Sequence, residues 1–235
     1  MSVDMPATAN AAMLLMFDVV EEAIPEHDDW HTHEHLPERL SIPGFLRGTR
    51  WVSPHAQPRY FVMHEVESLA TLESQAYLDR LDHPSPWTSR IMPSYRGMTR
   101  GLCAITGRSG AGLGPVGLLI RFEPRTGHES ALRSWLMDDT LPRLVSRRGL
   151  GSAHLFERAL TAPMTTEQRI RGADGGVAWA LFVTGYSEDS VAPLAQADFG
   201  HDRFAAHGGA GVSEALYRMH YTLTAQDVRA RSDVR

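Results

Sequence analysis

The chain has 235 residues, 43% of them hydrophobic and 22% charged, and a formal net charge of −5. That is ample apolar content for a core in one large domain or two small ones, and it leaves no basic footprint for nucleic acid. The single cysteine, Cys103, excludes an intrachain disulfide framework and a cysteine-based zinc site, and suits a reducing cytosol.

Met1–Asn10 reads as a flexible lead-in without the basic start and long apolar core of a secretory signal. No stretch approaches the roughly 18 uninterrupted apolar residues of a membrane helix, so neither a membrane nor a nucleic acid is an expected partner and the expected location is cytoplasmic. The apolar run Ala12 to Val19 predicts a strand. A helix follows from about Pro25 to Leu40, with Asp28 and Asp29 near its start and Pro43-Gly44 ending it. Strands are predicted over Phe45 to Val52 and Arg59 to Val66, then a helix over Leu69 to Leu81. His83-Pro-Ser-Pro-Trp87 breaks that helix, a short helical stretch follows, and Gly101 to Thr106 closes the half as a strand. Cys103 in this last run is expected to be a buried, inert thiol. Residues 107–115 carry four glycines and a proline and read as a linker.

The second half repeats the order. Val116 to Glu123 is a predicted strand, His128 to Val145 a helix, and Gly151 to Glu157 a strand. Val177 to Tyr186 is a strand, Ser190 to Ala206 carries a helix, Tyr217 to Leu223 closes, and 225–235 reads as a polar tail. Leu160 to Gly176 is an insertion rich in Thr and Gly. At one constant spacing Phe17 aligns with Phe122, Trp30 with Trp135, Leu36 with Leu141, Pro37 with Pro142 and Gly44 with Gly149. Shared apolar and turn positions imply a shared fold. The order βαββαβ occurs twice, which is the ferredoxin-like split βαβ unit. The expected architecture is therefore α+β: residues 11–106 and 116–224 form two tandem ferredoxin-like repeats that pack sheet to sheet as an intrachain α+β barrel. A central pocket between the sheets is expected.

The segment Trp-x4-His-Leu-Pro-Glu-Arg-Leu-x-x-Pro-Gly-Phe, Trp30 to Phe45, resembles bacterial proteins of the dimeric α+β barrel superfamily, near the EthD-like group. Pro58 to Ser68, Pro84-Ser-Pro-Trp-Thr88 and Met92-Pro93 look like further parts of that pattern. The resemblance covers most of the first half and is weaker in the second. It implies the fold. It spans cofactor-free isomerases and cyclases, quinol-type monooxygenases and haem enzymes, so the reaction has to be argued from the site.

The repeats differ where chemistry is expected. His31, His33 and His35 of the first face Leu136, Asp138 and Thr140 of the second. On a helix His31 and His35 share a face and His33 does not. Imidazole exchanges protons near neutrality, and in the family pattern His35 is the usual histidine, so it is the favoured general acid or base. His31 and His64, on the third strand, are the expected helpers. The alternatives are a helix-end histidine bonded at the Pro37 turn and a core histidine bonded to a neighbour. Arg50 is placed to clamp a substrate carboxylate, Trp87 to stack on a planar substrate, and His220, beside Arg218, to point inward.

The reading is a cofactor-independent enzyme for isomerisation, cyclisation or elimination on a small aromatic or cyclic metabolite. One alternative is a metal site at His31 and His35 with His64, Asp18 or Glu34 as third ligand. Another is haem held by His201 or His207, giving an oxygenase or dehydratase. A third is a non-catalytic binding protein. A homodimer through the outer helices is also compatible. No phosphate loop, dinucleotide fingerprint or nucleophile elbow is present.

Overall fold

The structure is a computed structural model that describes residues 8–160, 165–172 and 174–232. Strand β1 (Ala11–Val19) leads through a turn into helix α1 (Ile24–Trp30), a π turn (His31–His35) and α2 (Leu36–Leu40). Strands β2 (Phe45–Val52) and β3 (Tyr60–Val66) follow. A 3₁₀ turn (Leu69–Glu73), α3 (Gln75–Asp82), α4 (Pro86–Ile91) and the long β4 (Tyr95–Gly110) complete the first repeat. The second runs β5 (Val116–Pro124), α5 (Glu129–Ser134), a π turn (Trp135–Thr140), α6 (Leu141–Leu144) and β6 (Leu150–Leu160). After α7 (Thr166–Arg171) and β7 (Gly175–Gly176) come β8 (Trp179–Gly185), α8 (Glu188–Val191), α9 (Leu194–Ala197), α10 (His201–Ala206), β9 (Gly209–Thr224) and α11 (Ala225–Ser232).

The ladders close on themselves in the order β1-β3-β2-β9-β5-β8-β6-β4, with β4 returning to β1 and β7 attached in parallel to β4. This is the tandem ferredoxin-like α+β barrel. Each repeat has its four strands in the ferredoxin order, β4-β1-β3-β2 and β9-β5-β8-β6. The two sixteen-residue strands, β4 and β9, each pair with both repeats, and in this way close the sheet edges at the joins. Strand hydrogen bonding continues through Gly110, so the segment expected as a linker contributes its first four residues to β4. The expected polar tail begins as α11, whose start is capped by Thr224 and Asp227: the Asp227 carboxylate accepts from Thr224 N at 2.9 Å. No helix among the described residues is long and apolar enough to cross a membrane.

Both repeats bend their first helix in the same way. Pro37 and Pro142 lack an N–H and crowd the carbonyl four residues back. The turn before each widens, so that Leu36 N donates to His31 O and Leu141 N to Leu136 O. The turn after each helix reaches the next strand through a glycine in the left-handed region, Gly44 at φ 88° and Gly149 at φ 89°. Two predicted helices are broken. Ser74 caps α3 by accepting from Tyr77 N at 3.3 Å, which separates it from the preceding 3₁₀ turn. The expected Ser190–Ala206 helix is three short ones, interrupted at Pro193 and Gly200.

β1 is apolar from Ala11 to Phe17 because both of its faces are covered there. Ala12, Leu14 and Met16 enter the barrel, while Ala11, Met13 and Phe17 meet the helices. Leu118, Ile120 and Phe122 of β5 pack on the second repeat's helices, as the alternation predicts. Among the described residues no cavity lies at the centre of the barrel, where a pocket is expected between the sheets. Side chains fill the barrel: Trp51, Phe61 and Tyr217 crowd around Phe182, with Phe182 centroids 5.0 Å from Trp51 and 5.1 Å from Phe61. The burial of Cys103 in this core pushes its thiol up to about 12, which makes it inert.

Candidate functional site

The histidines converge on the other side of the sheet, between the first repeat's helix and the outer faces of β1 and β3. His27, which sequence inspection passed over, stands four residues before His31, and His31 four before His35. The helix stacks the three imidazoles with centroids 5.6 and 5.5 Å apart. Alternation on β3 sends Phe61 and Met63 into the barrel and His64 toward the helix. Its ring sits 6.5 Å from His35. All four are buried, whereas His33 is exposed on the opposite helix face. The helix can approach because β2 carries Gly48 at the contact: a Cβ there would stand 2.4 Å from Leu36 Cδ2 and 3.2 Å from His64 Nδ1.

Burial, with the positive charge of Arg39 nearby, holds His35 well below the usual imidazole range and His64 at about 3. Burial, then His35 and Arg50, does the same for His31. These rings are therefore neutral at neutral pH, with lone pairs free to accept a proton. Nδ1 of His31 and of His35, and both ring nitrogens of His64, are buried without a hydrogen-bond partner. Unsatisfied imidazole nitrogens are costly in a core, and three such rings on one surface distinguish this place from ordinary packing.

Aromatic and polar neighbours hold the row. The Trp30 indole lies 4.4 Å from His35 and its Nε1 donates to Glu34 at 3.1 Å and to Thr88 at 3.2 Å. Ser85 donates to the same Glu34 carboxylate at 2.5 Å. The Pro84–Thr88 segment therefore fixes Trp30, while Trp87 itself lies outside and donates to Glu26 at 3.2 Å. At the other end His27 Nε2 meets the Tyr95 hydroxyl at 3.1 Å and Nδ1 meets Asp28 at 3.1 Å. Tyr60 donates to the same carboxylate at 3.0 Å. Burial pushes Tyr60 up to about 12 and Tyr95 higher still, so both remain protonated donors.

His31 and His35 line a cavity of about 30 Å³ with Phe17, Tyr77, Met92 and Tyr95. That is room for one or two water molecules. Arg50 does not reach it. Its guanidinium donates to Asp28 O, to Thr32 and to His220 Nδ1, each at 3.1 Å, and so ties β2 to the helix and to β9. His220 is exposed rather than inward-pointing. The cavity's remaining wall comes from the insertion in the second repeat. Glu167 and Arg171 of α7 reach across, and Arg39 donates to Glu167 at 2.5 Å. Nothing in the repeat alignment could have found these two residues. The spacing His27-x3-His31-x3-His35 could have found the third helix imidazole.

Among the described residues no group of three His, Cys, Asp or Glu side chains is arranged to hold a metal. A porphyrin far exceeds the histidine cavity in this arrangement. Of the candidate haem ligands, His201 is exposed, and His207 packs edge-on against Trp135 at 4.4 Å beside an open surface groove.

No family model and no curated protein matches the sequence. Among solved structures the chain is similar to an anthrone oxidase-like protein, with a TM-score of 0.67 and 11% identity over 94% of this chain and 96% of that one. It is also similar to a putative monooxygenase from Fusobacterium nucleatum subsp. nucleatum, with a TM-score of 0.59 and 9% identity over 92% and 95%. A heme-binding protein from Thermus thermophilus gives a TM-score of 0.51 and 10% identity over 97% and 98%. At such identities the likeness is one of fold, over nearly the whole of each chain.

Proposed function

We propose that the protein is a cofactor-independent enzyme that moves a proton on a small aromatic or cyclic molecule, with His35 as general base and acid. The observation that carries this is the buried row of neutral imidazoles beside a small cavity, with unpartnered nitrogens at His31 and His35. A neutral imidazole with an unpartnered nitrogen keeps a lone pair available for a proton. His35 takes a proton from a carbon or hydroxyl of the substrate, and the bonding pair stays behind as an enolate or phenolate. Returning the proton at another carbon completes an isomerisation. Expelling a leaving group with that pair completes an elimination.

His31 and His27 give the proton a route to solvent, since Asp28, bonded to His27, is partly exposed. The rings make no direct hydrogen bond to one another, so a proton passing between them needs a water, for which the cavity has room. His64 backs His35 from the sheet. The resemblance of the Trp30–Phe45 motif to the EthD-like group is in keeping with this reading.

The test is hydrogen–deuterium exchange. In D2O, a panel of cyclic ketones and phenols should show protein-dependent deuterium uptake, and His35→Ala should fold normally but lose it. Uptake at an undiminished rate in that variant would sink the proposal.

The second reading is an oxygenase, favoured by the names of the similarly folded anthrone oxidase-like and monooxygenase structures. It shares the first step if the electron-rich anion meets dioxygen. Oxygen consumption with the same panel separates the two outcomes. A Soret band or stoichiometric metal in the purified protein would overturn the cofactor-free reading.

A further inference from the structure

The cavity wall carries charge that proton transfer by His35 does not require. Arg39, Arg100, Arg171 and Glu167 line it beside the histidines. Asp174 joins Arg171 at 2.8 Å to Arg100 at 3.3 Å. Glu38 meets Arg39 at 3.3 Å from the half-buried side and shares its charge with Arg80 at 3.3 Å. Its buried part sets three guanidinium groups, Arg39, Arg100 and Arg171, against three carboxylates, Glu38, Glu167 and Asp174, while Arg80 is 51% exposed. Arg39 is 1% exposed and Arg171 4%. A buried guanidinium is costly unless its donors all meet acceptors. The buried Nε of Arg171 also has no acceptor, although a guanidinium normally spends its fork on a carboxylate.

Glu167 uses these groups incompletely. Its carboxylate makes one short bond to Arg39, and its other oxygen stands 4.0 Å from Arg171. It also arrives on α7, an inserted helix that the other repeat lacks, and it occupies the wall of a cavity too small for any ring. We propose that the ligand of the histidine cavity is an aromatic or cyclic carboxylic acid whose carboxylate sits on Arg39 and Arg171 in the place that Glu167 now holds.

The exchange replaces one carboxylate by another, so the pairing of Arg39 survives it. The guanidinium groups of Arg39 and Arg171 stay beside the histidines, where they stabilise the anion that forms when a substrate C–H bond breaks and its proton passes to His35. The proposal rests on the proton-transfer reading for the reacting end of the ligand only. It also moves the carboxylate clamp away from Arg50, whose donors are already engaged.

Calorimetric titration of the full chain with benzoate and with its uncharged isostere benzamide tests it. Benzoate should bind at least tenfold more tightly than benzamide. Glu167→Gln should tighten benzoate about tenfold, because the competing internal carboxylate is gone. Arg171→Gln should weaken benzoate about tenfold and leave benzamide unchanged. Equal binding of the two probes, no binding of benzoate, or a Glu167→Gln variant that binds benzoate no better overturns the proposal. The comparison of probes on the unaltered protein needs no variant to fold. Proton exchange lost in His35→Ala with no preference for benzoate defeats this proposal alone. A preference for benzoate without His35-dependent exchange defeats the proton-transfer reading alone.

Discussion

The Trp30 indole lies against the His35 imidazole, centroids 4.4 Å apart and planes at 39°, while its Nε1 donates to Glu34 and Thr88. One residue thus packs on the proposed base and anchors to the α4 segment. Trp30→Phe keeps most of the packing and removes the donor. The expected loss is about 1–3 kcal/mol of stability by denaturant unfolding, with exchange activity on the order of tenfold lower because His35 is less well aimed. Unchanged activity in a destabilised variant would confine Trp30 to packing.

Acid should destabilise the fold steeply. His27, His31, His35 and His64 are all held below their ordinary range by burial. Above about pH 6.5 both folded and unfolded chains carry them neutral. Below it the unfolded chain takes up protons that the folded one refuses, so stability falls as pH falls, by about 1.4 kcal/mol per pH unit for each group until its folded value is reached. For His64 that window runs from about 6.5 down to about 3. Unfolding free energies measured between pH 5 and 8 should be flat at the upper end and drop at the lower.

His64→Leu isolates one of these contributions. Both of its ring nitrogens are buried and unpartnered, so an apolar side chain of similar volume should be neutral or stabilising at pH 7. The acid slope should shrink by about 1.4 kcal/mol per pH unit. A clear loss of stability at pH 7 would show that His64 has a partner of its own.

Gly48→Ala should damage the site without replacing a titratable group. The added methyl meets Leu36, itself fully buried, at 2.4 Å and His64 at 3.2 Å. The helix must move off the sheet, at a cost of about 1–3 kcal/mol. The drop in melting temperature should come with weaker shielding of the histidine ring resonances.

Arg50→Lys tests a structural tie. The lysine ammonium cannot span Asp28 O, Thr32 and His220 together as the guanidinium does. Denaturant unfolding should show a loss of about 1.5–3 kcal/mol.

The duplicated order of elements was legible in the sequence because apolar alternation and glycine turns are local. Gly44 and Gly149 lie in equivalent helix-to-strand turns with nearly the same φ, and Leu118, Ile120 and Phe122 face the helices as alternation requires. The shared face of His31 and His35 followed from helical spacing in the same way. The side of the sheet on which they meet His64 did not. It depended on barrel closure, which fills the interior with Trp51, Phe61, Phe182 and Tyr217, so that the histidines meet in the helix–sheet gap.

By itself, then, the sequence determined two ferredoxin-like repeats and which of them carries histidines on its first helix, since both depend on neighbours a few residues apart. Only the tertiary structure decided that His27 completes the row against Tyr95, that burial keeps the imidazoles neutral, and that Glu167 and Arg171 wall their cavity. Those properties depend on chain segments brought together from far apart, 128 positions in the case of Arg39 and Glu167. No periodicity along the chain records such a meeting.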